Sequence, residues 1–236
     1  MHYAIIAAGN GSRLRHEGVE APKPLVDLDG RPMVRRLIEV LASYKPESLS
    51  IVVNEQMPEV ASYIESIRDS FEFPVYLTVK TTASGVHSLY EVTRHFAGGK
   101  TVITTVDTIF LQSDFGRYAE AFDDDDDSDA FFGVTPFIDD EKPLYVDVDP
   151  ATQLITGFRG EPSDHDRYIS GGIYGLTAPA VRLLDSFVSQ PAPRLREYQR
   201  ALVDTGLKVR AFPFPKIVDV DHAADIDTAR QFIMND

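Results

Sequence analysis

The 236-residue chain contains no cysteine, which excludes disulfide bonds, thiolate metal sites and cysteine nucleophiles. It also lacks long apolar runs, and none approaches the roughly 18 residues that a membrane-spanning helix requires. The apolar stretch at residues 3–8 is too short, and too lightly flanked by positive charge, to act as a signal peptide. We therefore expect a soluble, cytoplasmic protein that has no membrane partner.

Positive charge is scarce. Lys and Arg total 23 against 37 Asp and Glu, which gives a formal net charge of −14. Six of these acids lie at residues 123–127 and 129, and we expect that run to form a solvated loop because adjacent like charges resist packing. The average field repels polyanions, so the protein is not expected to bind nucleic acid. A site for an anionic ligand must supply its own cations.

Apolar runs and helical patterns alternate along the first half of the chain. Short apolar runs predict buried strands, and apolar residues spaced three and four apart predict helices. The predicted strands are residues 3–8, 50–54, 75–79 and 101–106, and the predicted helices are residues 34–44, 59–71 and 88–96. This rhythm is typical of βαβ units and of a mostly parallel sheet that helices cover on both faces.

Shorter strands dominate the second half. Strands are predicted at residues 131–135, 144–149, 154–158, 168–176, 209–213 and 217–220, and helices at 180–188, 195–205 and 223–234. The last two strands are expected to close the sheet. Since the sequence has no internal repeat or long linker, we predict an α/β fold. It is a single Rossmann-like domain over residues 1–236, with three αβα layers and a mixed, mostly parallel sheet.

A glycine-rich turn follows the first predicted strand. It reads Ala7-Ala8-Gly9-Asn10-Gly11-Ser12-Arg13-Leu14, and Pro22-Lys23-Pro24-Leu25 comes shortly after it. Glycines let backbone N–H groups approach a phosphate closely, and Arg13 and Lys23 add positive charge. The dinucleotide fingerprint fails because Leu14 stands where its third glycine belongs, and no Gly-Lys-Ser/Thr completes a Walker pattern.

Together, these two segments resemble the signature of the nucleotidyltransferase (NTP transferase) family, which includes MobA-like domains and the sugar-phosphate and phosphocholine nucleotidyltransferases. The resemblance implies that Arg13 and Lys23 are catalytic and that the turn at residues 7–12 binds the nucleotide. It also implies that the small-residue segment at 82–89 holds the nucleobase, through Ser84, Gly85 and Ser88. Taken alone, that segment is equally a common loop with Ser88 at a helix start.

Aspartates follow two of the predicted strands. Asp107 lies just beyond the strand at 101–106, at the carboxyl edge where open α/β sheets bind ligands. Asp219 and Asp221 are two residues apart, so a strand presents both on one face. The resemblance implies that Asp107 and one of these two ligate Mg²⁺, which prefers hard oxygen ligands. The family often has glycine at the position of Val106, and outside the family context an aspartate at a strand end is more often a helix cap.

A second glycine pair lies in the predicted strand at 168–176. The segment Ser170-Gly171-Gly172-Ile173-Tyr174 resembles the strand that contacts the second substrate in this family, and a β-bulge is the alternative interpretation. Four basic residues are candidates to hold the phosphate of that acceptor, namely Lys142, Arg159, Arg167 and Lys216. Lys216 is favoured because it lies close in sequence to the acidic segment Asp219-Val220-Asp221.

The implied reaction is attack of an acceptor phosphate on the α-phosphorus of an NTP, with CTP or UTP favoured, and release of pyrophosphate. One alternative is a GT-A-type glycosyltransferase with an Asp-x-Asp metal site, which Asp147-Val148-Asp149 and Asp219-Val220-Asp221 both match. That alternative leaves Arg13 and the Pro-Lys-Pro-Leu segment unexplained. The other is a non-catalytic regulator that binds a nucleotide or sugar phosphate, although the chain retains Arg13, Lys23 and Asp107.

Overall fold

Strands and helices alternate through most of the chain in the computed structural model, which describes residues 1–96, 98–139, 141–164, 166–190 and 193–234. The strands are β1 (His2–Ala7), β2 (Asp27–Leu28), β3 (Arg31–Pro32), β4 (Ser48–Val53), β5 (Val75–Val79), β6 (Thr101–Thr105), β7 (Thr108–Ile109), β8 (Ala130–Thr135), β9 (Tyr145–Val148), β10 (Ile155–Arg159), β11 (Ile169–Leu176), β12 (Val209–Pro213) and β13 (Val218–Asp219). The α-helices are α1 (Ser12–His16), α2 (Met33–Ala42), α3 (Pro58–Arg68), α4 (Gly85–Thr93), α5 (Gln112–Asp124), α6 (Ala178–Val188), α7 (Leu195–Asp204) and α8 (Ala223–Ile233), and a 3-10 helix covers Lys23–Leu25. Among the described residues, no helix is both long and apolar enough to cross a bilayer.

Nine of the strands form one mixed sheet. Seven of them lie in the order β10-β9-β11-β6-β1-β4-β5, while β8 pairs with β11 and β12 pairs with β8. Strands β6, β1, β4 and β5 are parallel to one another, and β12 is parallel to β8. Strand β11 is antiparallel to β6, β8 and β9, and β10 is antiparallel to β9. Only β10 and β11 in this sheet therefore run against the common direction, which confirms the predicted mostly parallel sheet.

Helices pack on both faces of this sheet, as the buried residues of β1 illustrate. Tyr3, Ile5 and Ala7 point into the core cluster that α2, α3 and α5 cover. Ala4 and Ile6 point into the opposite cluster, which α4, α6 and α7 cover. Because side chains alternate across a strand, an uninterrupted apolar run is required for burial on both faces. The three predicted αβα layers are confirmed.

The last predicted strand is a correction to the sequence analysis. Residues 217–220 do not close the main sheet. Only Val218–Asp219 is extended, and it pairs antiparallel with β7 in a separate ribbon. The backbone N–H of Val220 then donates to the carbonyl of Asp107 at 3.1 Å. This ribbon brings the late acidic segment to the end of β6, although 111 residues separate the paired Thr108 and Asp219.

The aspartate run is likewise only partly the solvated loop that its charge predicts. Its first two residues end α5, and Asp123, Asp124, Asp126 and Asp127 are exposed. Asp125 instead accepts backbone hydrogen bonds from Asp127 and Ser128 and forms an ion pair with Arg210 at 2.7 Å. Local hydrogen bonds of this kind let a short acidic segment form an ordered turn despite its charge.

A nearly buried carboxylate ties α4 to the chain that leaves β5. Glu91 is 4% exposed and forms ion pairs with Lys80 and Arg94. Burial raises the pKa of Glu91, but its hydrogen bond and charge interaction with Lys80, together with Arg94, outweigh this effect and leave the pKa below its ordinary value. Glu91 therefore stabilises the fold while it is ionised.

Replacing Glu91 with glutamine is expected to lower the free energy of unfolding at neutral pH by about 1–3 kcal/mol, because charged hydrogen bonds are weakened. Because the pKa of Glu91 is lowered in the folded protein, its contribution to the free energy of unfolding is complete above the ordinary carboxyl pKa of about 4.3. That contribution disappears as the pH falls through the lowered pKa. Urea unfolding of both proteins at about pH 7 and about pH 3 measures this difference. An equal difference at both pH values would contradict the ionised role.

Candidate functional site

The turn after β1 packs directly against the segment that contains Lys23. Gly11 has a φ of 58°, a left-handed conformation that glycine adopts without strain. A Cβ atom added to Gly11 would lie 2.8 Å from the Cβ of Lys23, whereas one added to Gly9 would meet no atom within 4 Å. The absence of a side chain at Gly11 therefore lets Lys23 pack against the turn, and Gly9 borders open space.

Lys23 lies between two carboxylates at the carboxyl ends of the strands. Its Nζ atom is 2.6 Å from Oδ2 of Asp107 and 2.6 Å from Oδ1 of Asp221, and its side chain is only 9% exposed. Arg13 approaches Asp221 from the other side, with Nη1 2.6 Å from Oδ2. Four residues that the sequence places far apart therefore form one continuous ion-pair network.

This network fixes the charge states of Lys23 and Asp107. Burial alone would lower the pKa of the Lys23 ammonium, but the charges of Asp107 and Asp221 outweigh burial and raise that pKa above its ordinary value. Burial would also raise the pKa of Asp107, while the charge of Lys23 and its hydrogen bond hold that pKa below its ordinary value. Both groups are thus ionised at neutral pH.

Asp219 lies beside this network, in the ribbon with β7. The hydroxyl of Thr108 donates to Oδ1 of Asp219 at 3.4 Å, and the Thr105 and Thr108 hydroxyls are 2.6 Å apart. On the facing strand, Gly172 has a φ of 73°, and a Cβ atom there would lie 2.3 Å from the Thr108 hydroxyl oxygen. Gly172 is therefore required for the close approach of β11 to these residues.

The glycine pair Gly171-Gly172 forms the β-bulge that was the alternative interpretation of this segment. The register of β11 against β8 shifts between Ser170 and Ile173. Gly171 lines a small cavity on the Arg13 side of the acids, and Gly172 lines another on the side of α7. A bulge and proximity to a ligand site therefore coincide here, as they commonly do in proteins.

Two cavities meet at the acidic residues. The first, here called the loop cavity, has a volume of about 330 Å³ and is lined by Gly9, Gly11, Ser12, Arg13 and Lys23 among others. The second, called the strand cavity, has a volume of about 210 Å³ and includes Ser170, Gly172, Tyr174, Arg196 and Gln199. Thr105, Asp107 and Asp221 line both cavities. Ligands in the two cavities would thus meet at these carboxylates.

Asn54, at the end of β4, connects the glycine-rich turn to the segment expected to hold the nucleobase. It is 2% exposed, and its amide donates to the carbonyl of Ala8 at 3.1 Å and to the side chain of Asn10 at 2.8 Å. The hydroxyl of Thr81, which comes just before that segment, donates to the side-chain Oδ1 atom of Asn54 at 2.8 Å. Sequence reasoning missed this residue because a single polar residue after a strand carries no motif.

The segment at residues 82–89 starts its helix earlier than expected. Helix α4 begins at Gly85, so Ser88 is not a helix-start residue but a buried residue in the first turns. Its hydroxyl lies 2.6 Å from that of Thr82. Ser84 precedes the helix, and its hydroxyl lies 3.0 Å from Nδ1 of His87.

None of the basic residues nominated for an acceptor phosphate is among the described residues that line the strand cavity. Arg159 forms ion pairs with Asp147 and Asp166, and the Lys216 ammonium lies 4.2 Å from the ring centroid of Phe137 and 5.1 Å from that of Phe232. Arg167 lines a different cavity, and the carbonyl of Lys142 accepts a hydrogen bond from Arg196. Among the described residues that line the strand cavity, the cation is Arg196.

Sequence reasoning missed Arg196 and Gln199 because neither belongs to a motif. They lie three residues apart on α7, a spacing that puts both on one helix face. Their neighbours Tyr198 and Leu202 are buried in the core. Polar residues at helical spacing, next to buried apolar ones, are the only signal that this face offers.

The oxygen donors at this site fit a magnesium ion. Across the described part of the chain, no group of three or more His, Cys, Asp and Glu residues is arranged to hold a metal. Asp107 and Asp221 nevertheless converge on one cation, the Lys23 ammonium. Mg²⁺ is usually held by one or two carboxylates together with water and substrate phosphates, so this pair suffices when a phosphate ligand completes the shell.

Comparisons with known proteins agree with this geometry. The model of the MobA-like NTP transferase domain matches residues 3–154, which include the glycine-rich turn, Lys23 and Asp107. The T. maritima inositol-1-phosphate CTP transferase superposes with a TM-score of 0.79 at 22% identity, covering 98% of this chain and 97% of that one. That likeness supports the fold.

Curated relatives match with low identity over most of the chain or with higher identity over a short stretch. A 2-aminoethylphosphonate cytidylyltransferase from Lancefieldella rimae is 24% identical over 188 residues, 78% of this chain and 70% of that protein. A mannose-1-phosphate guanyltransferase from Kluyveromyces lactis is 31% identical over 81 residues, 34% of this chain and 22% of that protein. The chain thus spans about a fifth of the length of that guanyltransferase. Because the family model matches more than half of its residues, the chain belongs to the MobA-like NTP transferase domain family.

Proposed function

We propose that this protein is a nucleotidyltransferase that transfers a nucleoside monophosphate from an NTP to a phosphorylated sugar or alcohol and releases pyrophosphate. One observation carries the proposal. Asp107 and Asp221 line both the loop cavity, which holds Arg13 and Lys23, and the strand cavity, which holds Arg196. Two anionic ligands could therefore meet at this pair of carboxylates. The ligand in the loop cavity would lie beside Arg13 and Lys23, and the ligand in the strand cavity beside Arg196. The proposal places the reaction in the cytoplasm, where NTPs are available.

In this proposal the loop cavity binds the triphosphate. Arg13 and Lys23 now form ion pairs with Asp221, and they would exchange that carboxylate for phosphate oxygens as the nucleotide enters. Backbone N–H groups at Gly9 to Ser12 would bind the same oxygens, because a Cβ atom added to Gly9 would meet no atom of the described residues within 4 Å. These donors would neutralise the charge that develops on the departing pyrophosphate. Such electrostatic stabilisation is usually the largest contribution of a protein to this kind of transfer.

Magnesium is the proposed cofactor, held by Asp107 with Asp221 or Asp219. When bound, Mg²⁺ would supply Lewis-acid polarisation and charge neutralisation at the phosphate oxygens. The release of Lys23 toward the triphosphate would free the two carboxylates for that role. Nucleotide and metal binding are thereby linked, because the Lys23 ammonium occupies the two carboxylates until the triphosphate binds it.

The acceptor phosphate would lie in the strand cavity, with Arg196 orienting it. Its oxygen forms a bond to the α-phosphorus, and the bond from that phosphorus to the bridging oxygen breaks, so pyrophosphate departs with the electron pair. A phosphate nucleophile is already ionised, and no general base is required. Burial, with the charges of Asp219 and Asp107, raises the pKa of Tyr174 above its ordinary value, so its hydroxyl stays protonated as a donor.

The choice of base rests on weaker features than the reaction. We propose CTP or UTP, because the segment at residues 82–89 has small side chains through which backbone groups could reach a pyrimidine edge. The cytidylyltransferase from Lancefieldella rimae supports this choice. The guanyltransferase relative shows that the base varies among similar proteins.

The glycosyltransferase alternative has little support from the Asp147-Val148-Asp149 segment. Asp147 forms an ion pair with Arg159 at 2.9 Å. Asp149 accepts hydrogen bonds from the backbone of Ala151 and Thr152, which is a turn-forming role. Both residues line a different cavity from the one that contains Asp107.

The proposal is tested by incubating the protein with MgCl₂, one of ATP, CTP, GTP or UTP, and a sugar 1-phosphate or alcohol phosphate. We expect pyrophosphate only when both substrates are present, with CTP or UTP giving the highest rate. Release of a nucleoside diphosphate when a nucleotide sugar replaces the NTP would instead support the glycosyltransferase. Tight nucleotide binding without turnover of any combination would support the regulator.

A further inference from the structure

Strand β5 forms one edge of the main sheet. It pairs with β4, and with no other strand of the described residues. The backbone N–H of Lys80 and the carbonyl of Pro74 both hydrogen-bond to β4. Since the direction of these groups alternates from one residue to the next along a parallel strand, Val75, Leu77 and Val79 turn their N–H and carbonyl groups away from β4. A row of backbone donors and acceptors therefore lies along the outer edge of β5.

The features that protect the other two end strands of the main sheet are missing from the described residues of β5. Strand β10 contains Arg159 and has a register shift between residues 155 and 157, and β12 contains Arg210 and Pro213. Charges, bulges and prolines are the usual means by which proteins prevent pairing at a sheet edge. Strand β5 reads Val-Tyr-Leu-Thr-Val and follows β4 in continuous register. Its edge thus remains competent to pair with another strand.

Two apolar side chains of β5 are exposed. Tyr76 is 44% exposed and Val79 is 48% exposed, and they are two of the four large apolar side chains that are exposed in the described part of the chain. The ring of Tyr76 stacks on His95, with ring centroids 5.4 Å apart and planes inclined by 6°. A side chain that is already ordered loses little conformational entropy when a partner covers it. The edge thus combines open backbone groups with an ordered apolar surface.

We propose that β5 pairs antiparallel with β5 of a second copy of this chain, about a two-fold axis at Leu77, so that the main sheet continues through a homodimer. In this register Leu77 faces Leu77 of the other copy, and Val75 faces Val79. Each of these facing pairs exchanges two hydrogen bonds, so every outward backbone group of the strand is satisfied. The strand is therefore complementary to itself, as an isologous interface requires.

Side chains and charges at this edge agree with a second copy as the occupant. Beside the backbone pairs, Tyr76 of one copy would lie next to Thr78 of the other, on the same face of the continuous sheet. The antiparallel arrangement also brings Lys80 of one copy close to Glu72 of the other, since both residues are exposed at opposite ends of the strand. A parallel arrangement would instead bring the two Lys80 side chains together. Opposite charges thus favour the antiparallel dimer.

The first test measures the mass in solution. Sedimentation equilibrium of the wild type should give twice the mass of the chain. Val79→Pro removes an N–H group that faces away from β4, where an edge strand tolerates proline. By symmetry it deletes two hydrogen bonds of the dimer, so it should raise the dimer Kd by about 30-fold. Val79→Thr keeps the N–H group and the branched shape, and as the matched control it should dimerise almost as tightly as the wild type.

The second test determines the register. Because the chain has no cysteine, a single engineered cysteine reports one position. Hydrogen-bonded residues that face each other in an antiparallel pair have Cα atoms about 5.5 Å apart, a distance that a disulfide spans. Leu77→Cys should therefore give a disulfide-linked dimer under mild oxidation. Val79→Cys is the matched control and should stay unlinked, because the two copies of this residue would lie about 14 Å apart along the strands.

Three results would overturn the proposed dimer. The first is a wild type that stays monomeric as its concentration rises, including one that instead binds an added peptide at β5. The second is a dimer whose Kd is the same in Val79→Pro as in the wild type. The third is a folded Leu77→Cys variant, checked by circular dichroism, that is cross-linked no faster than Val79→Cys. None of these results bears on the proposed activity, because no residue of β5 lines the loop cavity or the strand cavity.

Discussion

Replacement of Asp107 by asparagine is expected to lower the rate of pyrophosphate release by about 10²–10³-fold, the typical cost of losing one electrostatic contact to the reacting groups. Asp107 is one of the carboxylates shared by the loop cavity and the strand cavity, and it contacts Lys23 directly. Asparagine keeps the shape of the side chain but lacks the charge that would hold a cation. Steady-state kinetics at saturating MgCl₂, CTP and acceptor measure the effect.

The matched control for this prediction is Asp124→Asn, at an exposed position near the end of α5. It removes the same charge from the protein but lies away from both cavities, so its activity should equal that of the wild type. Circular dichroism of both variants checks that they remain folded. Full activity in Asp107→Asn would show that the carboxylate of Asp107 takes no part in the reaction.

Replacement of Lys23 by methionine should have the largest effect on stability. It leaves Asp107 and Asp221 facing each other without the ammonium that now separates them. The loss of the ammonium should lower the free energy of unfolding by about 2–4 kcal/mol, less than for a fully buried pair because Asp107 and Asp221 are 24% and 35% exposed. Added MgCl₂ should restore part of that loss, because a divalent cation can take the position of the ammonium and stabilises the state it binds. Urea unfolding with and without MgCl₂ measures both effects.

The double variant Lys23→Met with Asp107→Asn is the control for this interpretation. It removes the repulsion between the two carboxylates, so it should be more stable than Lys23→Met alone, and a double-mutant cycle gives the coupling. Both variants should fail to release pyrophosphate, since Lys23 also serves the triphosphate. A loss of stability in Lys23→Met that is the same with and without MgCl₂ would contradict the shared cation site.

The sequence predicts those parts of the fold that depend on local patterns. Strand β5 begins and ends at the predicted residues, 75 and 79, and β1 is shifted by one residue from the predicted run at 3–8. Strand β1 is buried on both faces and has an uninterrupted apolar run, whereas β5 is an edge strand whose Val75 and Leu77 pack against the core. The turn at residues 9–12 follows from its glycines, and the place of Lys23 beside it follows from the resemblance to the NTP transferase family.

Features that depend on distant pairing could not be predicted in the same way. Helix α5 has a buried face of Phe115, Tyr118 and Phe122, yet the acidic run at its end obscured the helical pattern. Strand β13 is two residues long and is defined only by its partner β7. The juxtaposition of Arg196 with Asp107 depends on how α7 packs, which no local pattern encodes. The lining of the strand cavity was therefore predicted less well than that of the loop cavity.

The fate of the α-phosphorus tests the central claim most directly. Phosphorus NMR of the wild type with CTP or UTP, MgCl₂ and a sugar 1-phosphate follows every phosphate in one sample. We predict that the α-phosphorus appears in a new diphosphate bridge, joined through oxygen to the phosphorus of the acceptor, in an amount equal to free pyrophosphate. A nucleoside diphosphate, orthophosphate alone, or an NTP that stays intact while bound would contradict the proposed transfer.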